Sequence, residues 1–210
     1  MQILINSEEF LLQKQFENFP SLLNELRTHC SDRDQVITEI QLDEHVFDID
    51  HEGEWPPIQE IKCIQLVTQP YLEVAAAVFL GCAEHIPSMI DGVRESAQHL
   101  RQGHQAEAME LLIQVTDLLS EILAGTESAL SASGLTWESV SVVLPDKEEP
   151  VPGDQTSSRF NLLLEEVLQS LETNDLVDLV DILEYDIPPI LEAFVKLLEA
   201  LGQKCHDPEG

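Results

Sequence analysis

One stretch constrains this chain more than any other. Residues 87–132 read as a helix, a short break and a longer helix, and the pattern returns seventy-one residues later. The first arm sets Met89, Val93, Ala97 and Leu100 at spacings of four, four and three, and the break is Arg101-Gln102-Gly103-His104. The second arm carries Ala108, Met109, Leu111, Leu112, Val115, Leu118, Leu119, Ile122 and Leu123. A stripe that broad belongs to a helix packed against other helices. In the later copy Phe160, Leu164, Leu168 and Leu171 replace the first arm, and Val180 and Leu183 stand for Met109 and Leu112. Gly103-His104 falls on Asn174-Asp175, two turn-forming pairs. Short apolar periodicities are easily matched, so the pairing alone does not establish a duplication. Either way, two hairpins that cannot bury their stripes alone are expected to associate into a bundle.

Before residue 70 the period differs. Gln2-Ile-Leu-Ile reads as a short strand, Phe19-Pro20 opens a helix with Leu22, Leu23 and Leu26 on one side, and residues 36–42 alternate as a strand does. His45 to Asp48 and the β-branched run 61–68 add two more. The fold class is therefore α+β: a small N-terminal unit of three or four strands and one helix, then a mainly helical bundle of two hairpins. The expected division is 1–70 for the α+β unit, 71–143 for the first hairpin, 144–158 for a linker, 159–203 for the second hairpin and 204–210 for a polar tail. Pro87 is expected to kink or restart a helix, Gly134 to end one, and Trp137 to fold back on the bundle. The linker assignment rests on three prolines and a glycine in LPDKEEPVPGDQTSS.

Charge narrows the function. Forty acidic residues against ten basic ones give a formal charge of −30. Such a field repels phosphate backbones and anionic bilayers, so neither nucleic acid nor membrane is an expected partner. Val74 to Leu80, the longest apolar run, is too short to span a bilayer. The first residues show no basic segment followed by a cleavage site, so a cytoplasmic location is expected. Cys30, Cys63, Cys82 and Cys205 form no C-x-x-C pair and should be free thiols.

The motifs that carry chemistry are absent or incomplete. Asp48-Ile-Asp50-His-Glu52-Gly53 begins like a calcium-binding EF-hand loop, but position twelve is Gln59, and Pro56 and Pro57 fill positions nine and ten. Cys82 with His85, His29-Cys30 and Cys205-His206 lack zinc-site spacing. There is no G-x-S-x-G, phosphate-binding glycine loop or H-E-x-x-H. No catalytic residue, cofactor or metal is expected. The most suggestive charge pattern is the acidic face of the last hairpin: Asp175, Asp178, Asp181 and Glu192 border its apolar stripe, with Glu184 and Asp186 nearby, and Asp175, Asp178, Asp181, Glu184 and Glu192 are the candidate partner-binding residues. An acidic face is by default solvated; the alternative is a docking rim for a basic, amphipathic partner helix.

Two passages resemble known families. Gln98-His-Leu-Arg-Gln-Gly-His-Gln-Ala-Glu-Ala-Met-Glu-Leu-Leu112 is similar to the second hairpin of flagellin-export chaperones, small bacterial helical bundles. Residues 171–185, followed by Ile187-Pro188, resemble a segment of uncharacterised bacterial proteins that join a small β-containing unit to helical hairpins. These resemblances imply a helical, partner-binding protein. The Leu-rich hairpins, the charge of −30 and the missing catalytic constellation favour a non-enzymatic cytoplasmic adaptor or chaperone-like protein that binds a partner's amphipathic or basic segment. Two alternatives stay open: a self-assembling homodimer, and an enzyme or metal protein using dispersed residues such as His29, His45, His51 and His85.

Overall fold

Alternation governs the first unit. In the computed structural model, which describes residues 1–12, 14–47, 55–143 and 149–207, the chain divides into two units, Met1–Val74 and Ala75–Gly210. Strands β1 (Gln2–Ile5), β2 (Glu8–Glu9), β3 (Gln35–Leu42), β4 (His45–Phe47) and β5 (Cys63–Pro70) form one sheet in the order β2-β1-β5-β3-β4. β1 runs parallel to β5, and the other pairings are antiparallel. On β5, Ile64, Leu66 and Thr68 point inward and Gln65, Val67 and Gln69 outward. On β3 the buried positions are Ile37, Ile40 and Leu42, a phase slip absorbed by a register shift between Ile37 and Glu39. An extra residue there lets both ends of the strand face one core.

Helix α1 (Phe19–Ser31) covers that face. The Asn18 side chain caps it by accepting from the Ser21 N–H at 2.9 Å, with proline in the first turn. Phe19, Leu22, Leu23, Leu26 and Cys30 pack on Ile3, Ile40, Ile64 and Leu66, and Trp55 closes the edge against Phe19 and Phe47. The unit ends at Val74 rather than residue 70, because the Tyr71 N–H bonds to the Asp34 carbonyl at 3.1 Å and ties the next helix's first turn to the sheet. The acidic stretch Asp48–Glu54, with His51, lies outside the described residues.

The second unit is helical. α2 (Tyr71–Arg101) runs unbroken through Pro87, where a kink or restart was expected. The proline forfeits one helical hydrogen bond, and burial of Ile86, Met89, Ile90 and Val93 around it offsets the loss. α3 (Gln105–Ser133) returns antiparallel and ends at Gly134 in the left-handed region. The two helices approach closely at glycines: a Cβ on Gly92 would lie 2.9 Å from Val115, and one on Gly125 3.4 Å from the Cys82 sulfur. Trp137 lies in a short 3₁₀ turn (Trp137–Ser139) and stacks on Phe194, their ring centroids 5.1 Å apart.

The expected linker is largely ordered where it is described. β6 (Ser141–Val142) pairs with β7 (Val151–Pro152), and α4 (Gly153–Thr173) starts inside the proline-rich stretch, with Thr156 buried. α5 (Leu176–Asp181) leads through a π-helical turn (Ile182–Asp186) into α6 (Ile187–His206). α6 extends through three residues assigned to the polar tail, because Leu201, Gly202 and Cys205 are buried and hold its last turns. Phe194 of α6 contacts Phe160 of α4 at 5.7 Å, and Gly202 lies against Leu80 of α2.

The two hairpin breaks match bond for bond. Gly103 and Asn174 both have positive φ. The Gly103 and Asn174 N–H groups bond to Leu100 and Leu171, and those of His104 and Asp175 bond to His99 and Ser170. These paired bonds make a Schellman termination at each site. The next helix then starts alike, Ala108 N–H to His104 O and Leu179 N–H to Asp175 O, both at 3.1 Å. Beyond the π turn the correspondence advances by one residue, so Ile122, Thr126 and Ala129 match Phe194, Leu198 and Leu201, all six buried. The π turn is that one extra residue: the Ile187 N–H reaches back five residues to Ile182 O.

Candidate functional site

The five acidic positions singled out on the last hairpin do not form a free rim. Asp175 caps α5, accepting from the Asp178 N–H at 3.2 Å. Asp178 accepts the hydroxyl of buried Ser170 at 2.6 Å, with the Glu166 carbonyl at 3.0 Å as that hydroxyl's other acceptor. Asp181 faces solvent. Glu184 pairs with Arg101 at 2.5 Å, and Glu192 lies 3.7 Å from Arg94. The basic partners of those last two are thus two arginines of α2, a connection that sequence separation concealed.

Those arginines line a cavity of about 480 Å³ with Gln98, Glu184 and Tyr185. Positions 94, 98 and 101 fall on one helical face. Pro188 and Pro189 cannot donate to the carbonyls four residues back, and the π turn carries Glu184 and Tyr185 at the cavity. Arg101 Nη2 donates to the Tyr185 hydroxyl at 3.4 Å; that bond first, helped by the Glu184 charge, holds the guanidinium above its ordinary pKa against an opposing desolvation. Chemically the cluster is a latch between α2 and the π turn. It holds no nucleophile paired with a base.

The first unit has a second cavity of about 460 Å³, which sequence reasoning missed. The Asn6 amide donates to Thr68 Oγ1 at 2.9 Å and accepts the Thr68 N–H at 2.8 Å, and Thr68 Oγ1 donates to Gln35 at 3.2 Å. Asn6 and Ser7 both have positive φ, so Asn-Ser after a strand was the available signal. His29 contacts Arg33 and stacks on Phe10. Burial pushes the Cys30 thiol up, only partly countered by Arg33, which is the reverse of an activated nucleophile.

Among the described residues no three His, Cys, Asp or Glu side chains gather as a metal set. All four cysteines are free. α2 has an 18-residue window of mean hydropathy 1.3, long and apolar enough to cross a bilayer, although its longest uninterrupted apolar run is short. Eleven of its positions are buried within the protein.

α3 is covered less well than the other long helices. Met109, Leu111, Leu112, Val115, Leu118 and Leu119 are only partly buried, and Ile113 is 62% exposed. No residue between Ala108 and Ile122 is fully buried.

These features define an α+β chain whose second unit is a helical scaffold with a polar latch and one half-covered helix. The chain belongs to the family described as domain of unknown function DUF8042, whose model matches residues 78–197, from α2 into α6. No curated protein and no solved structure matches it.

Proposed function

We propose that the protein is a non-enzymatic, acidic adaptor or chaperone-like protein of the cytoplasm, whose helical unit binds a basic amphipathic segment of another protein. The observation that carries this reading is the coincidence on α3 of partly covered apolar residues and one-sided charge. Residues 102–146 contain seven Asp or Glu and no Lys or Arg. Partly covered Leu and Ile favour an apolar ligand face, and the acidic surround favours cations beside it. The same charge opposes the homodimer, since two copies meeting through this region would bring like charges together.

The test is direct binding to the intact protein. A fluorescent Leu/Lys amphipathic peptide, roughly 15–20 residues long so that it can form a stable helix, is titrated with the full chain and followed by anisotropy. Binding that weakens as salt rises, and is absent for a Leu/Glu peptide of the same pattern, is the expected result. Equal binding of both peptides, or of neither, would overturn the reading.

A further inference from the structure

The two hairpins provide an internal standard for how much of an apolar stripe this fold covers. Met109, Leu112 and Leu119 correspond through the matched breaks to Val180, Leu183 and Leu191, which are 7%, 2% and 2% exposed. The first hairpin's residues are only partly buried at all three places. The position between them differs in kind. Ile113 corresponds to Glu184, which the second hairpin commits to Arg101. The first hairpin instead presents a 62%-exposed isoleucine to solvent.

The helical phase sets the direction of this opening. Val115 and Gly125 approach α2 at Gly92 and Cys82. At about 100° per residue, Met109, Ile113 and Thr116 lie toward the opposite side, with Leu112 between the two. Glu110 and Asp117 stand three residues before and four after Ile113, so both border it on the helix surface. Both carboxylates are exposed.

We infer that the surface centred on Ile113, with Met109 beside it, Leu112 at its edge and Glu110 and Asp117 as its rim, is where the basic amphipathic helix docks. This placement rests on the function proposed above and moves the site from the acidic row of residues 175–192 to the first hairpin. The occupant inserts one or two large apolar side chains beside Ile113 and sets Lys or Arg against the two carboxylates. A second copy of this surface is excluded as the occupant, because it would set Glu110 and Asp117 against the same acids.

The test uses the full chain and the Leu/Lys peptide. Glu110→Lys and Asp117→Lys, both at exposed positions, are each expected to weaken binding roughly fivefold or more and to flatten its salt dependence, with far-ultraviolet dichroism unchanged. Asp181→Lys, on the acidic row, is expected to leave affinity within about twofold. Hydrogen exchange of the complex should show new protection over residues 105–121. Peptide binding with protection confined to residues 175–192, or to α4 where Leu162 and Leu168 are each 59% exposed, would overturn this placement while leaving the proposed function standing. No binding of the peptide at about 100 µM would overturn both. Concentration-dependent dimerisation that protects residues 105–121 without peptide would overturn the choice of occupant.

Discussion

Phe194 is the side chain whose removal the helical unit should tolerate least. It is 2% exposed and lies between two aromatic rings, Trp137 at 5.1 Å and Phe160 at 5.7 Å, with tilted interplanar angles of 45° and 38°. Truncation to alanine removes a buried ring and leaves a cavity that the flanking rings cannot both collapse into; such changes cost about 3–5 kcal/mol. Leucine keeps most of the volume and loses the ring pairings, each contributing about 0.5–1.5 kcal/mol beyond area. Phe194→Leu should therefore cost about 1–3 kcal/mol. Against a total of about 5–15 kcal/mol for a folded domain, the alanine variant stands near the edge of stability.

The assay uses a convenient distribution of probes. The chain has two tryptophans, Trp55 in the first unit and Trp137 in the second. Trp55→Phe leaves Trp137 as sole reporter, and its emission during urea unfolding reads the helical unit next to the Phe194 ring. In that background Phe194→Ala should lower the unfolding midpoint in proportion to its cost with an unchanged slope, and Phe194→Leu should fall between it and the parent. A loss below about 1 kcal/mol for the alanine variant would refute the packing described, as would a leucine variant less stable than the alanine one.

Three further outcomes follow from backbone geometry, charge and the buried thiols. Gly81 lies inside α2 with open space where a Cβ would stand, so Gly81→Ala should stabilise by about 0.4–1 kcal/mol; Gly103→Ala, at φ +80°, should destabilise by about 1 kcal/mol, and thermal melts showing the opposite order would contradict the hairpin turn. With a formal charge of −30, Tm should rise from low to moderate ionic strength as self-repulsion is screened; a flat or falling Tm means the charges are already offset. Burial raises the thiol pKa of Cys30, Cys82 and Cys205 above the ordinary 9.0, so the folded state holds these protons more tightly than the unfolded one. The stability they contribute is whole below pH 9 and is lost as pH rises through the folded values; denaturation midpoints from pH 8 to 10.5 should fall less steeply in Cys30→Ala than in the parent.

The amphipathic hairpins were legible because a helix that buries one face repeats its apolar residues every three or four positions. The α+β class was legible from the change of period near residue 70. The sheet's fifth strand was not, since Glu8 and Glu9 are exposed and pair only through the backbone. Pro87 misled because a local rule counts one lost bond and takes no account of Ile86, Met89, Ile90 and Val93 buried on either side. The acidic row was read correctly as charge and incompletely as structure: its basic partners lie about ninety residues away on α2, beyond the reach of any local pattern.

The π turn did leave a trace in the spacing. The apolar stripe of the first hairpin's return arm can be followed from Ala108 through Leu112, Val115, Leu119 and Ile122, steps of four, three, four and three. In the second it runs through Leu179, Leu183, Ile187 and Leu191, three steps of four in succession. At about 100° per residue each step of four drifts by about 40°, so an unbroken α-helix would carry the stripe about a third of the way round. One wide turn removes that drift and lets Ile187, Leu191 and Phe194 return to the core. The same turn carries Glu184 and Tyr185 at the α2 latch. A single extra residue thus separates the hairpins in role: the second spends its outward position on an internal ion pair, and the first keeps Ile113 exposed between two carboxylates.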